Sequence, residues 1–112
     1  MNIKSRTTSN GIVILEPDGR FDANEAENVR EVLKQAVSTV PAKAIVNLKG
    51  VNFIDSSGLA VLVQGMKRAK DKKGRLHLSN LQQRVRIIFE LTRLDRAFEI
   101  FATEKSAIEA FA

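Results

Sequence analysis

Along this chain the apolar positions change period several times, and each change marks an element. Ile3 to Thr8 is mostly polar and predicts an edge strand, whereas Ile12-Val13-Ile14-Leu15 is continuously apolar and predicts a more central one. Between them Asn10-Gly11 tolerates positive φ, so the two strands should form an antiparallel hairpin. Pro17-Asp18-Gly19 predicts the next turn. Asp22-Ala23-Asn24-Glu25 has capping-box spacing, an acceptor followed three residues later by a glutamate. Ala26, Val29, Leu33, Ala36, Val37 and Val40 then mark one face of a helix running to about Thr39, which Pro41 ends.

The second half repeats the alternation. Ala44-Ile45-Val46-Asn47-Leu48 is short, apolar and rich in β-branched residues, as a strand buried on both faces should be. The stretch from Val51 then reads as a loop, and Leu59, Leu62, Val63 and Met66 recur at helical spacing in a helix from about Ser57 to Lys73. Gly74 is placed to stop that helix. Arg75-Leu76-His77-Leu78-Ser79 alternates and predicts a half-buried strand, with His77 a surface or sheet residue. Ser79-Asn80-Leu81-Gln82 reads as another capping box, before a helix with Leu81, Val85, Ile88 and Phe89 inward. Ala97 to Phe101 predicts a short strand, and Thr103 caps a last helix carrying Ala107, Ile108 and Phe111.

Strands alternating with helices imply right-handed crossovers and helices laid against a sheet. The expected fold is α/β: one domain over residues 1–112, with a mixed, mainly parallel sheet that opens on an N-terminal hairpin. A length of 112 residues suits a single core, and the 44% apolar fraction is that of a folded chain. Charges interrupt every apolar run, so no membrane insertion is expected, and the start lacks a secretory signal. With no cysteine there is no disulfide or thiolate chemistry. These features favour a cytoplasmic module.

The net charge of +5 brings nucleic acid into consideration. The densest cluster is Lys67, Arg68, Lys70, Lys72, Lys73 and Arg75. Cations also favour the negative end of the helix they finish, and no aromatic interleaving supports base stacking. The cluster is therefore read as solvated or protein-facing, with no direct nucleic-acid contact. Catalysis has little to stand on: one histidine, no Gly-x-Ser-x-Gly elbow, no phosphate-cradling loop and no calcium-loop spacing. The chain is expected to be no enzyme and to need no cofactor or metal.

The strand-to-helix changeover at Asp55-Ser56-Ser57-Gly58 is the remaining candidate. A helix N-terminus there exposes unpaired N–H groups and a partial positive charge, which suit a phosphate. By themselves these residues are better explained as N-caps, the common use of such residues before a helix.

Phe53-Ile54-Asp55-Ser56-Ser57-Gly58-Leu59, followed by Ala60-Val61, resembles the signature of the STAS family, the bacterial anti-sigma factor antagonists. Gly19-Arg20-Phe21-Asp22 is similar to the family's earlier Gly-x-apolar-Asp segment, although Arg20 stands where an acidic or small residue is common. The resemblance implies a phosphorylation site at Ser56 and a partner-binding surface from Asp22, Asp55, Ser56, Ser57, Gly58 and Leu59. Gly58 is expected to let another protein approach the backbone closely.

The implied partners are an anti-sigma factor that is a serine kinase of GHKL type, captured by the unphosphorylated form, and a PP2C-type phosphatase. Release of the sigma factor follows capture. The alternative is a STAS docking subunit of a lipid-transport ATPase or signalling scaffold, without a phosphorylation cycle.

Overall fold

The computed structural model describes residues 1–112. Strand β1 (Asn2–Thr7) pairs antiparallel with β2 (Val13–Phe21), as the Asn-Gly turn dictates. Then follow α1 (Ala26–Ala36), β3 (Lys43–Asn47), β4 (Val51–Ile54), α2 (Ser56–Asp71), β5 (Arg75–Ser79), α3 (Gln83–Leu91), a 3-10 turn (Leu94–Arg96), β6 (Glu99–Phe101) and α4 (Glu104–Glu109). The sheet order is β1-β2-β3-β5-β6, with every pair after the hairpin parallel. The expected mixed α/β architecture is the one observed.

β2 is longer than its sequence suggests. Pro17-Asp18-Gly19 does not turn; it continues the strand, with Pro17 opposite Ile3 and Asp18 opposite Asn2. The local turn signal is overridden because β2 serves three neighbours. Its first half pairs with β3 and its second half with β4, with a register shift between Gly19 and Arg20. Gly19 carries the shift at φ 112°, a conformation that disfavours a side chain. Asn47 starts the passage from β3 to β4, its side-chain oxygen accepting from Lys49 N at 3.0 Å.

Two cores hold the sheet. On one face Leu15, Ala44, Val46, Leu76 and Leu78 meet Val29 and Leu33 of α1, Leu59 and Leu62 of α2, and Val85 and Phe89 of α3. On the other, Ile12, Ile14 and Ile45 pack with Ala107 of α4. Burial of β3 on both faces, anticipated from its composition, follows from this sandwiching.

The same sandwiching corrects the reading of β5. It is not half-buried: Leu76, His77, Leu78 and Ser79 are all inside. Nor is His77 a surface residue. It is wholly buried, with Nδ1 3.0 Å from the Ala107 carbonyl oxygen and Nε2 3.1 Å from Glu99 Oε2. Its ring stacks on Phe111, centroids 4.0 Å apart. Across the sheet Arg6 joins Glu16 of β2 and Glu104 of α4, fastening that helix to the hairpin. The Glu16 hydrogen bond is the main reason the Arg6 guanidinium pKa lies above its ordinary value, with burial pulling the other way and Glu104 adding to the rise.

Helix ends also depart from expectation. Neither predicted capping box forms. Asp22 Oδ1 accepts from Asn24 N instead, α1 starts later at Ala26, and Glu25 pairs with the terminal ammonium. At α3 the N-cap is Gln82, whose amide donates to the Lys49 carbonyl rather than closing a box. α1 ends at Ala36, short of Thr39. Thr103 does cap α4, its hydroxyl accepting from Ser106 N at 3.1 Å.

Gly74 follows α2 as predicted, but for a different reason. The left-handed residue is Lys73, φ 57°, whereas a Cβ on Gly74 would lie 1.8 Å from the Ala42 carbonyl oxygen. Glycine is needed there for close chain approach.

Candidate functional site: the β2 and β4 strand ends

Because β2 and β4 are parallel neighbours with Phe21 opposite Ile54, the residues that follow them emerge side by side. These are Asp22 and Asp55, at the carboxyl ends of parallel strands, where open α/β sheets place their binding loops. Asp55 N donates to the Phe21 carbonyl, extending the pairing by one step.

Asp55 is the N-cap of α2, with φ −111° and ψ −173°. Its Oδ1 accepts from Gly58 N at 3.0 Å, satisfying one of the orphan donors of the first turn. Its Oδ2 accepts from Ala23 N at 3.1 Å, across on the β2–α1 connection. One carboxylate thus caps a helix and ties the two strand-end loops together. Ser56 is the first helical residue and is exposed, while Ser57 is half-buried.

No acidic residue lies in the first turn of α2. Of the carboxylates at this corner, Asp55 is already committed to two N–H donors and Asp22 to Asn24 N. A negative group added at Ser56 would meet a favourable dipole.

Gly58 and Leu59 point the other way. Gly58 is buried, and a Cβ there would come 2.6 Å from the Phe21 carbonyl oxygen and 2.8 Å from Ile54 Cγ1. Its missing side chain makes room for β2, correcting the expectation that it clears space for an incoming protein. Leu59 is 8% exposed and belongs to the large core. Both hold the corner in shape from below; the accessible part is Asp22, Ser56 and Ser57 with the rim of Asp55.

Arg20 belongs to the same surface through a pairing that sequence reading did not find. It lies directly opposite Phe53 in the β2–β4 register, with its guanidinium carbon 3.9 Å from the ring centroid and Nε 3.7 Å from Asp22 Oδ2. The signal that could have exposed it is strand pairing, which a one-dimensional pattern does not carry. Around the site no His/Cys/Asp/Glu group approaches a metal-holding arrangement, and no helix of the chain is long and apolar enough to cross a membrane.

A mixed sheet opened by a hairpin, with a capped Asp-Ser-Ser-Gly corner at a parallel strand end, defines a small mixed α/β domain with an accessible strand-to-helix corner. The STAS domain model matches residues 4–107, and the chain belongs to that family. It is 32% identical over 91 residues to the anti-sigma-B factor antagonist of Bacillus subtilis, covering 81% of this chain and 83% of that protein.

Among solved structures it is similar to an anti-sigma-factor antagonist domain protein from Planctomyces limnophilus. The TM-score is 0.87 at 23% identity, over 96% of each chain. It is also similar to the Bacillus cell fate determinant SpoIIAA in its phosphorylated form. There the TM-score is 0.74 at 24% identity, over 99% of this chain and 100% of the other. These two likenesses speak for the fold.

Proposed function

We propose that this chain is a cytoplasmic anti-sigma factor antagonist controlled by phosphorylation at Ser56. In the unphosphorylated state it captures an anti-sigma factor that is also a serine kinase of GHKL type, and the sigma factor is freed. The kinase transfers the γ-phosphoryl of ATP to Ser56 Oγ, which loses its proton, and ADP leaves. A PP2C-type phosphatase restores the hydroxyl. In this reading the chain is the switch and catalyses nothing.

One observation carries the proposal: Ser56 is exposed at the first position of α2 while the adjacent Asp55 supplies the cap. The serine is therefore free for a use that does not disturb the fold. Relatives named as anti-sigma factor antagonists support the same reading.

The physics favours an interface switch over a refolding switch. A phosphate brings about −1.5 to −2 charges. On this domain the α2 dipole attracts that charge and Asp55 repels it, so neither a new fold nor an unfolded loop is required. At an interface shaped for a hydroxyl, the dianion must be desolvated. A penalty of about 3 kcal/mol, within reach of a buried unpaired charge, weakens binding more than a hundredfold.

The test pairs Ser56→Ala with Ser56→Asp against the cognate kinase. The first should bind normally and resist labelling, while the second should bind poorly. Labelling of Ser56→Ala would move the acceptor to Ser57 or elsewhere. Co-purification with a transport ATPase in place of a kinase would instead favour a docking subunit.

A further inference from the structure

α1, α2 and α3 all return antiparallel to the strands they connect, so their C-terminal ends gather at the end of the molecule opposite Ser56. α2 has 16 residues, which at the helical rise separates its two ends by roughly 24 Å. At this far end the chain just before β3 lies against the end of α2: Ala42 N donates to Lys72 O at 3.2 Å, and Arg75 N to Ala42 O at 2.9 Å. Val40, 63% exposed, is therefore carried beside Lys72, Lys73 and Arg75, all exposed. α3 ends at the same pole in Leu91, 77% exposed, followed by Arg93 and Arg96.

We propose that this pole is a peripheral docking surface for an anionic phospholipid bilayer, with Val40 and Leu91 entering the headgroup layer and the surrounding cations neutralising lipid phosphates. Two independent features support it. The first is the pairing of apolar tips with cations. Phosphate-backbone binding to nucleic acid needs only the cations, whereas interfacial attachment uses buried apolar area and charge together.

The second is where the cations stand. Lys73 at φ 57° and Arg93 at φ 61° occupy left-handed positions just past α2 and α3, where glycine or asparagine is the usual residue. Lys73 completes a Schellman-type end, with Gly74 N donating to Ala69 O and Lys73 N to Lys70 O. A side chain is thus retained where local backbone energetics favour none. Complementing the dipole of α2 does not call for Lys73, since Arg68 and Lys70 already occupy its last turn, whereas Arg93 follows a helix with no basic residue in its last turn.

Acidic groups offset the pole only in part: Asp71, Glu90 and Asp95 are exposed there and Glu99 is engaged by Arg75 and His77, against Lys70, Lys72, Lys73, Arg75, Arg93 and Arg96. The surface is separate from the Ser56 corner, so a lipid-bound domain would keep that corner facing away from the membrane. It does not depend on the partner switch.

The test is flotation of the purified protein with vesicles of phosphatidylcholine, alone or mixed in equal parts with phosphatidylglycerol, at physiological salt. Binding is expected to the mixed vesicles and not to the neutral ones. The double variant Lys73→Gly/Arg93→Gly should bind about tenfold more weakly while its melting temperature rises or stays level. Val40→Ser, neutral and at an exposed position, should also weaken vesicle binding and leave any duplex-DNA binding unchanged. Equal binding to neutral vesicles, no binding to either, or full retention by the glycine variant overturns the proposal. Retardation of DNA with Val40→Ser indistinguishable from the parent in both assays assigns the pole to nucleic acid instead.

Discussion

Two polar side chains occupy opposite extremes of this molecule. Ser56 stands at the β4–α2 corner with its side chain in solvent, because its neighbour Asp55 supplies the cap and Gly58, two residues on, supplies the packing. His77 is sealed between β5 and α4, with both ring nitrogens against oxygens and its ring against Phe111. The histidine, by type the more reactive group, is consumed by the fold, and the serine is left over. Chemistry available to a partner is what the architecture does not spend on itself.

That contrast predicts an order of stability losses, measurable by urea unfolding. His77→Ala should be the most damaging, at about 3 kcal/mol, since it opens a void and strands the Ala107 carbonyl. Gly58→Ala should cost about 2 kcal/mol by pressing a methyl against the Phe21 carbonyl. Asp55→Ala removes two hydrogen bonds and should cost about 1 to 2 kcal/mol, with Asp55→Asn recovering part through a retained cap.

Ser56→Ala should change stability by less than about 0.5 kcal/mol while abolishing phosphorylation. If it destabilises as much as Asp55→Ala, the serine is structural and the contrast fails. A smaller effect sharpens the periphery of the site. Arg20→Ala should leave the fold within about 0.5 kcal/mol, because the Arg20 side chain that makes the cation–π contact and the ion pair with Asp22 is itself exposed, yet alter association rate with a charged partner.

Much of the corner was readable because its signals are local. A β-branched run, an Asx acceptor and a switch to helical spacing all fall within a few residues of Asp55, and short-range sterics and capping decide them. Thr103 was legible for the same reason. The predicted boxes at Asp22 and Ser79 failed because competing partners were available: Asn24 N for Asp22, and the Lys49 carbonyl for Gln82. Where two local hydrogen-bond arrangements differ by a fraction of a kcal/mol, distant contacts choose between them.

Periodicity and capping chemistry alone determined the order of elements apart from β4, the hairpin, the twice-buried β3 and the capped strand-to-helix turn. The three-way pairing of β2 through Pro17, the burial of His77 beneath α4, the inward duty of Gly58 and Leu59, and the gathering of cations and apolar tips at the far pole were decided only in three dimensions. Each depends on which segments, far apart in the chain, come to lie together. A side chain's accessibility is set by the neighbour that covers it, and one-dimensional spacing does not name that neighbour.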